Sequence, residues 1–144
     1  MEEYLLMSIK TKYANHIFEG TKKYEFRRKS IGEKNCNKKI FIYSSEKDKA
    51  IIGYIIIDTI LEGDLKHITT KTNCSKSKDI IDYFKDCNKC YALHIKETHK
   101  FIKPITLEEL KKEQEKFTIP QFYRYVKKQE PIYETLKKRS TKWN

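Results

Sequence analysis

Two stretches of this chain have no polar face. Residues 39–45 (KIFIYSS) and 50–61 (AIIGYIIIDTIL) carry Ile, Phe and Tyr at successive positions, so the alternation of a half-buried strand is missing. Strands of this kind need cover on both sides, from a helix or from a sheet that curls on itself. The starting point is therefore a layered or barrel-like domain. The longest apolar run, residues 50–57, is broken by Gly53 and is too short to span a bilayer.

The segments around these two runs supply the cover. Residues 5–9 read as a strand. Thr11 is placed to N-cap a short helix with Ala14, Ile17 and Phe18 on one face, and Gly20 stops it. Residues 23–28 alternate, with Tyr24 and Phe26 set against Lys23, Glu25 and Arg27. Residues 77–87 place Ile80, Ile81 and Phe84 at helical spacing, and residues 90–96 form a further strand. Thr106 with Glu109 is a capping box that opens a helix to about Phe117. The aromatic set Phe122, Tyr123 and Tyr125 reads as a helix packed on the sheet, with Phe122 and Tyr125 in the core. A terminal helix follows at residues 132–138. At 144 residues with 38% hydrophobic content and no linker, this is one α+β domain.

Charge narrows the partners. The chain carries 31 Lys and Arg against 20 Asp and Glu, a formal +11. Residues 1–50 hold 12 basic and 7 acidic side chains, residues 51–100 hold 8 and 7, and residues 101–144 hold 11 and 6. The excess sits at the two ends. If they converge in the fold they make one positive face suited to a polyanion, whereas a Lys- and Ile-rich composition reflecting an AT-rich genome would give the same totals with no such meaning. The N-terminus is acidic before it is apolar, so a cytoplasmic protein is expected. Cys36, Cys74, Cys87 and Cys90 are expected as reduced thiols. The Cys87-x-x-Cys90 pair has no second half, and neither a metal nor a cofactor is expected. Without a Gly-rich phosphate loop or an HExxH pair, triphosphatase and metallohydrolase readings have no footing.

The order Met7-Ser8-Ile9-Lys10, Tyr13-Ala14, Ile17, Gly20 and Lys22-Lys23-Tyr24-Glu25-Phe26-Arg27-Arg28 resembles the signature of the ASCH domain, a branch of the PUA-like superfamily. That signature is a strand ending in a polar residue, a short helix, then G-x-K-x-x-E-x-R. Lys39 to Ser45, Ile51-Ile52-Gly53, Tyr91 to Ile95, Pro104-Ile105 and Pro120 to Tyr125 resemble later parts of the longer bacterial or phage-type members. The likeness covers roughly residues 4–127.

The resemblance implies a PUA-like β-barrel of five or six mostly antiparallel strands with short flanking helices. It also implies a cleft beside the first helix that binds RNA, nucleotides or modified nucleosides. Residues 1–127 would form that domain, with residues 128–144 as a basic C-terminal helix or tail of the same unit. One small bacterial relative is an acetylcytidine amidohydrolase with a K-T-x-T pattern. Its Lys falls on Lys22, but its nucleophilic Thr falls on Glu25. Another member is described as a ribonuclease.

On the residues themselves, Lys23, Glu25 and Arg27 project to one side of an alternating strand. A carboxylate beside a guanidinium suits a base edge plus a phosphate. The bland reading is a solvated strand face with a weak ion pair. The expected ligand-binding set is Lys10, Lys22, Lys23, Glu25, Arg27, Arg28, Tyr43, Ser44, Ser45, Tyr123 and Arg124. If the protein is an enzyme, Lys22, Glu25 and Tyr43 are the expected catalytic residues of a hydrolase. The expected partner is RNA or a nucleoside or nucleotide, with no membrane and a monomeric chain. The alternatives are a nucleic-acid-directed enzyme, either ribonuclease or acylcytidine amidohydrolase, and a protein-interaction module in transcriptional control.

Overall fold

The computed structural model describes residues 3–141; the last three residues of the basic tail lie outside them. β1 (Glu3–Lys10) leads directly into α1 (Thr11–Glu19), and β2 (Tyr24–Arg27) follows. A single 3-10 turn at Glu33–Asn35 precedes β3 (Lys39–Ser45) and β4 (Ala50–Gly63). Then come α2 (Leu65–Lys71), α3 (Lys78–Tyr83), β5 (Cys90–Thr106), α4 (Leu107–Glu113), β6 (Tyr123–Lys127) and α5 (Pro131–Thr141). The strands form one six-stranded sheet in the order β2-β5-β4-β3-β1-β6. Only β1 and β3 run parallel; the other four pairings are antiparallel.

The two-sided strands are covered as their composition demands. Leu5, Met7, Ile9, Ile40, Ile42, Ile52, Ile55 and Leu93 pack with Ala14 and Ile17 of α1 on one face. Leu6, Phe41, Tyr43, Ile51 and Ile105 fill the other face under Leu110 of α4 and Ile132, Tyr133 and Leu136 of α5. Full burial of each such aliphatic side chain contributes about 1.5–3 kcal/mol, which is what holds a helix as short as α5 in place. A third cluster, Ile68, Phe84, Cys90 and Ala92, lies under α2 and α3 with Tyr24 and Phe26 against it.

The α+β class and the mostly antiparallel strands with short helices are as the sequence implies, but the barrel is not closed. β2 and β6 are the two ends of the sheet and do not pair with each other. Lys23 O accepts Ile95 N–H at 2.9 Å, so by strand alternation the Tyr24 carbonyl faces the open edge, where the Lys22 ammonium bonds it in place of a neighbouring strand. The gap is bridged by a side chain: Arg27 Nη2 donates to Ser8 O of β1 at 2.7 Å.

Three local expectations are corrected. Thr11 does not cap α1; Lys10 is the N-cap residue and no side chain caps the helix. The Thr11 hydroxyl instead bonds Ser45 O and accepts N–H bonds from Lys47 and Asp48, each at 3.2 Å. The segment read as an aromatic helix is β6, whose register on β1 pairs Tyr125 with Leu5 and Tyr123 with Met7. Phe122 and Tyr125 are half-buried against the inner core and not within it. Finally, α4 is capped by Thr106 as expected but stops at Glu113. Gly20 does end α1, in the left-handed region at φ 85°.

Candidate functional site

β2 and the turn before it carry a compact charge cluster. Tyr24 and Phe26 turn toward the third core cluster, so Glu25 and Arg27 turn to the opposite side. That side is not a solvated face. Glu25 is only 5% exposed. Lys22 Nζ donates to Glu25 Oε1 at 2.8 Å, and Arg27 Nε lies 2.8 Å from Glu25 Oε2. The Arg27 contact is one of charge, since its N–H makes no hydrogen bond of good angle.

Aromatic rings complete the surroundings. The Arg27 guanidinium lies 4.5 Å from the Phe122 ring centroid, and Lys22 Nζ lies 5.3 Å from that of Phe26 and 5.9 Å from that of Tyr13. Such faces attract cations and fix their position. Burial pushes the Tyr83 hydroxyl up from its ordinary pKa; Arg27 and Arg28 pull it back while Glu25 adds to the rise. The Tyr83 ring therefore stands within electrostatic reach of the cluster.

The remaining candidates divide. Lys10 and Lys23 are exposed beside α1 and β2. Arg28 is tied to α3, its Nε donating to Tyr83 O at 3.0 Å and its guanidinium 4.3 Å from the Tyr83 ring centroid. Tyr43 is not brought to Lys22 and Glu25. It belongs to the opposite core with Leu6, Phe41 and Ile51, its hydroxyl buried with no partner among the described residues and its pKa raised by that burial. Ser44 is fully buried, with Oγ 2.8 Å from Asp48 Oδ2 and 3.0 Å from Thr11 Oγ1. Ser45 contributes its carbonyl to Thr11. Tyr123 packs edge-on between Phe122 and Tyr125. Arg124 is committed to structure: it bonds both oxygens of Glu130 and the Thr118 carbonyl and lies 5.3 Å from the Phe117 ring centroid.

Sequence reasoning missed Ser8, Phe122 and Tyr83 as neighbours of the cluster, because all three arrive from distant segments. It also passed over an ordered pair on β4 and β5, where His94 Nδ1 lies 2.8 Å from Asp58 Oδ1. The hydrogen bond from His94 holds the Asp58 carboxyl below its ordinary pKa. The four cysteines are free, and among the described residues no group of three or more His, Cys, Asp or Glu side chains converges.

No family model matches the chain. The ASCH domain-containing ribonuclease of Zymomonas mobilis subsp. mobilis is 28% identical over 128 residues, 87% of this chain and 85% of that protein. The crystal structure of ASCH from Zymomonas mobilis superposes with a TM-score of 0.83 at 24% identity, covering 98% of both chains. The N-terminal domain of McrB from Staphylothermus marinus shares the fold more distantly, with a TM-score of 0.58 at 14% identity over 95% of this chain and 94% of that one. Taken with the order of motifs from Met7 to Arg28, the chain is similar in sequence to an ASCH domain-containing ribonuclease and has the fold of the ASCH crystal structure.

Proposed function

We propose that this protein binds RNA along the flank of α1, with the Lys22–Glu25–Arg27 cluster as the centre of the site. The observation that carries the reading is the burial of Glu25 between two cations. A carboxylate so placed fixes an ammonium and a guanidinium within one strand, and preorganised cations of this kind suit a phosphate backbone. Exposed Lys10 and Lys23 extend the positive surface, and Phe122 and Tyr13 offer faces on which a base stacks. The similarity to a ribonuclease supports RNA as the polymer.

That similarity also favours a second reading, RNA cleavage at the same place. The ribose 2′-hydroxyl would attack the adjacent phosphorus, losing its proton to a base. The departing 5′-oxygen would take a proton from an acid, leaving a 2′,3′-cyclic phosphate. The Lys22–Glu25 pair is the candidate for proton transfer and Arg27 for the charge on phosphate. Acylcytidine hydrolysis has less support, because position 25 holds a carboxylate engaged by two cations where that chemistry uses a hydroxyl. We read residues 128–144 as part of the same domain, on the strength of the buried Ile132, Tyr133 and Leu136, and the chain as a monomer. No helix among the described residues is long and apolar enough to cross a membrane.

The test is fluorescence anisotropy with a labelled single-stranded RNA at low salt, run beside a gel assay for cleavage. Binding by the wild type, weakened in Lys22→Ala and Arg27→Ala, is expected. Absence of RNA binding by a folded wild type overturns the reading, and cleavage lost in Lys22→Ala establishes its enzymatic form.

A further inference from the structure

We propose that His94, held by Asp58, is the base that takes the ribose 2′-hydroxyl proton when this chain cleaves RNA. The inference rests on the cleavage reading above and gives Lys22 the complementary task of acid.

The pair is built by two interruptions in the middle of the sheet. Ile56 pairs with Glu97, Ile57 with Ile95 and Thr59 with His94. Lys96 of β5 and Asp58 of β4 therefore stand unpaired, one on either side of the Ile57–Ile95 rung. An extra residue of this kind bends its strand and re-aims a side chain. Here it brings Asp58 Oδ1 to 2.8 Å from His94 Nδ1, with the two side chains still 35% and 38% exposed. A pair so open to water adds little stability, so the fold alone does not account for two broken rungs side by side. The aiming of a histidine does.

That aim has a chemical consequence. A carboxylate only accepts, so Nδ1 carries a proton and the neutral ring keeps its lone pair on Nε2. The bond to Asp58 is the one hydrogen bond of the His94 ring among the described residues, which leaves Nε2 free to accept. A single residue lies between this base and the cation cluster. Tyr24 of β2 has its ring centroid 5.1 Å from that of His94, while its carbonyl accepts from Lys22 Nζ. A phosphodiester lying across Tyr24 has Lys22 at one end and His94 at the other. Glu25 is less suited to the task of base, because both its oxygens already face cations.

The step balances with these two groups. As His94 Nε2 takes the 2′-hydroxyl proton, O2′ bonds to phosphorus and the P–O5′ bond breaks. The 5′-oxygen leaves with a proton from the Lys22 ammonium. The products are a 2′,3′-cyclic phosphate and a 5′-hydroxyl. Asp58 supports the imidazolium, and water then carries its proton back to Lys22.

The experiment follows cleavage of a labelled single-stranded RNA of mixed sequence by the full chain. Binding is measured separately by anisotropy on the same sequence with 2′-O-methyl groups, which have no proton to lose. His94→Ala and His94→Gln should bind that probe like the wild type and lose about 10²–10⁴-fold in kcat. Added imidazole should raise the rate of His94→Ala, a response that a structural role would not give. Asp58→Asn should lower kcat by about tenfold or more with KM unchanged, because Asp58 positions the ring and touches no RNA. Equal cleavage by the wild type and His94→Gln overturns the inference and leaves the cleavage reading standing. Binding lost in parallel with cleavage, or a His94→Ala rate that imidazole does not raise, overturns it as well. A wild type that binds RNA and never cleaves it overturns both the inference and the cleavage reading, with RNA binding alone remaining.

Discussion

Glu25 Oε1 sits 2.8 Å from Lys22 Nζ while its other oxygen sits 2.8 Å from Arg27 Nε, with the Glu25 side chain 7% exposed. The carboxylate is thus the shared counterion of two cations that are themselves mostly covered. Removing one member of such a cluster leaves uncompensated charge and costs about 3–5 kcal/mol. Because Lys22 and Arg27 retain some solvent contact, Glu25→Ala is expected near the lower end, about 3 kcal/mol. For a domain of this size that is a fall in Tm of about 6–12 °C. Thermal unfolding checks it, and a change under about 2 °C would show that the cluster is dispensable for folding.

The β4–β5 crossing depends on a missing side chain. At Gly53 a Cβ would approach backbone atoms His99 O at 2.2 Å and Lys100 Cα at 2.9 Å, and backbone cannot swing aside as a lysine tip can. Gly53→Ala should destabilise by about 1–3 kcal/mol, the usual range for overpacking. Urea unfolding with an unchanged m-value would place the effect in the native state. Wild-type stability would mean that the sheet relaxes there freely.

These contacts mark how far the sequence could be read. The two-sided character of residues 39–45 and 50–61 and the caps at Gly20 and Thr106 are local signals, and they located those elements. The Lys22–Glu25–Arg27 grouping was visible because all three lie within six residues. Their burial was not, since it comes from Ser8 and Phe122, which are brought in by β1 and the approach to β6. β6 was misread because a short run of aromatics spaced for a helix also fits an edge strand. α2 escaped because Ile68, Thr69 and Thr70 are β-branched; its one local signal was Asp64, whose side chain accepts His67 N–H at 2.8 Å. Tyr43 was assigned to the site by its nearness in sequence to Ser44 and Ser45. In a strand adjacent residues face opposite sides, and that alternation sends Tyr43 to the other core.

The Tyr43 hydroxyl is buried and bonds no group among the described residues. A buried donor without a partner is a standing cost, and removing it without changing the ring relieves that cost. Tyr43→Phe is therefore expected to unfold at the same temperature as the wild type or a few degrees higher. A loss above about 1 kcal/mol would reveal a bonding partner for that oxygen.

Acid sensitivity should trace to Glu130. Burial pushes its carboxyl up, but the Lys127 N–H, the Gln114 amide and the Arg124 guanidinium outweigh that and hold it below 4.5. A group whose pKa is lower in the folded chain stabilises above its unfolded value, and the contribution fades as pH falls through the folded one. Stability should thus decline as pH drops below about 4.5, and Glu130→Gln, already lacking the charge, should show a shallower decline. Equal slopes for the two proteins between pH 5 and 3 would remove Glu130 as the source.

Salt should separate the cations that reach RNA from those built into the fold. Lys10 and Lys23 are exposed. Arg139, in contrast, bonds the Lys103 carbonyl and lies 5.8 Å from the Phe101 ring centroid, and Arg124 is bound to Glu130. Each phosphate contact on a single strand contributes about 0.7 to the slope of log K against log salt. Lys10→Ala/Lys23→Ala should therefore lower that slope by up to about 1.4 and weaken binding to all sequences alike. Arg139→Ala should leave the slope near the wild-type value, whatever it does to stability. A slope unchanged in the double variant, measured by anisotropy from low to physiological salt, would place the RNA on another face of the domain.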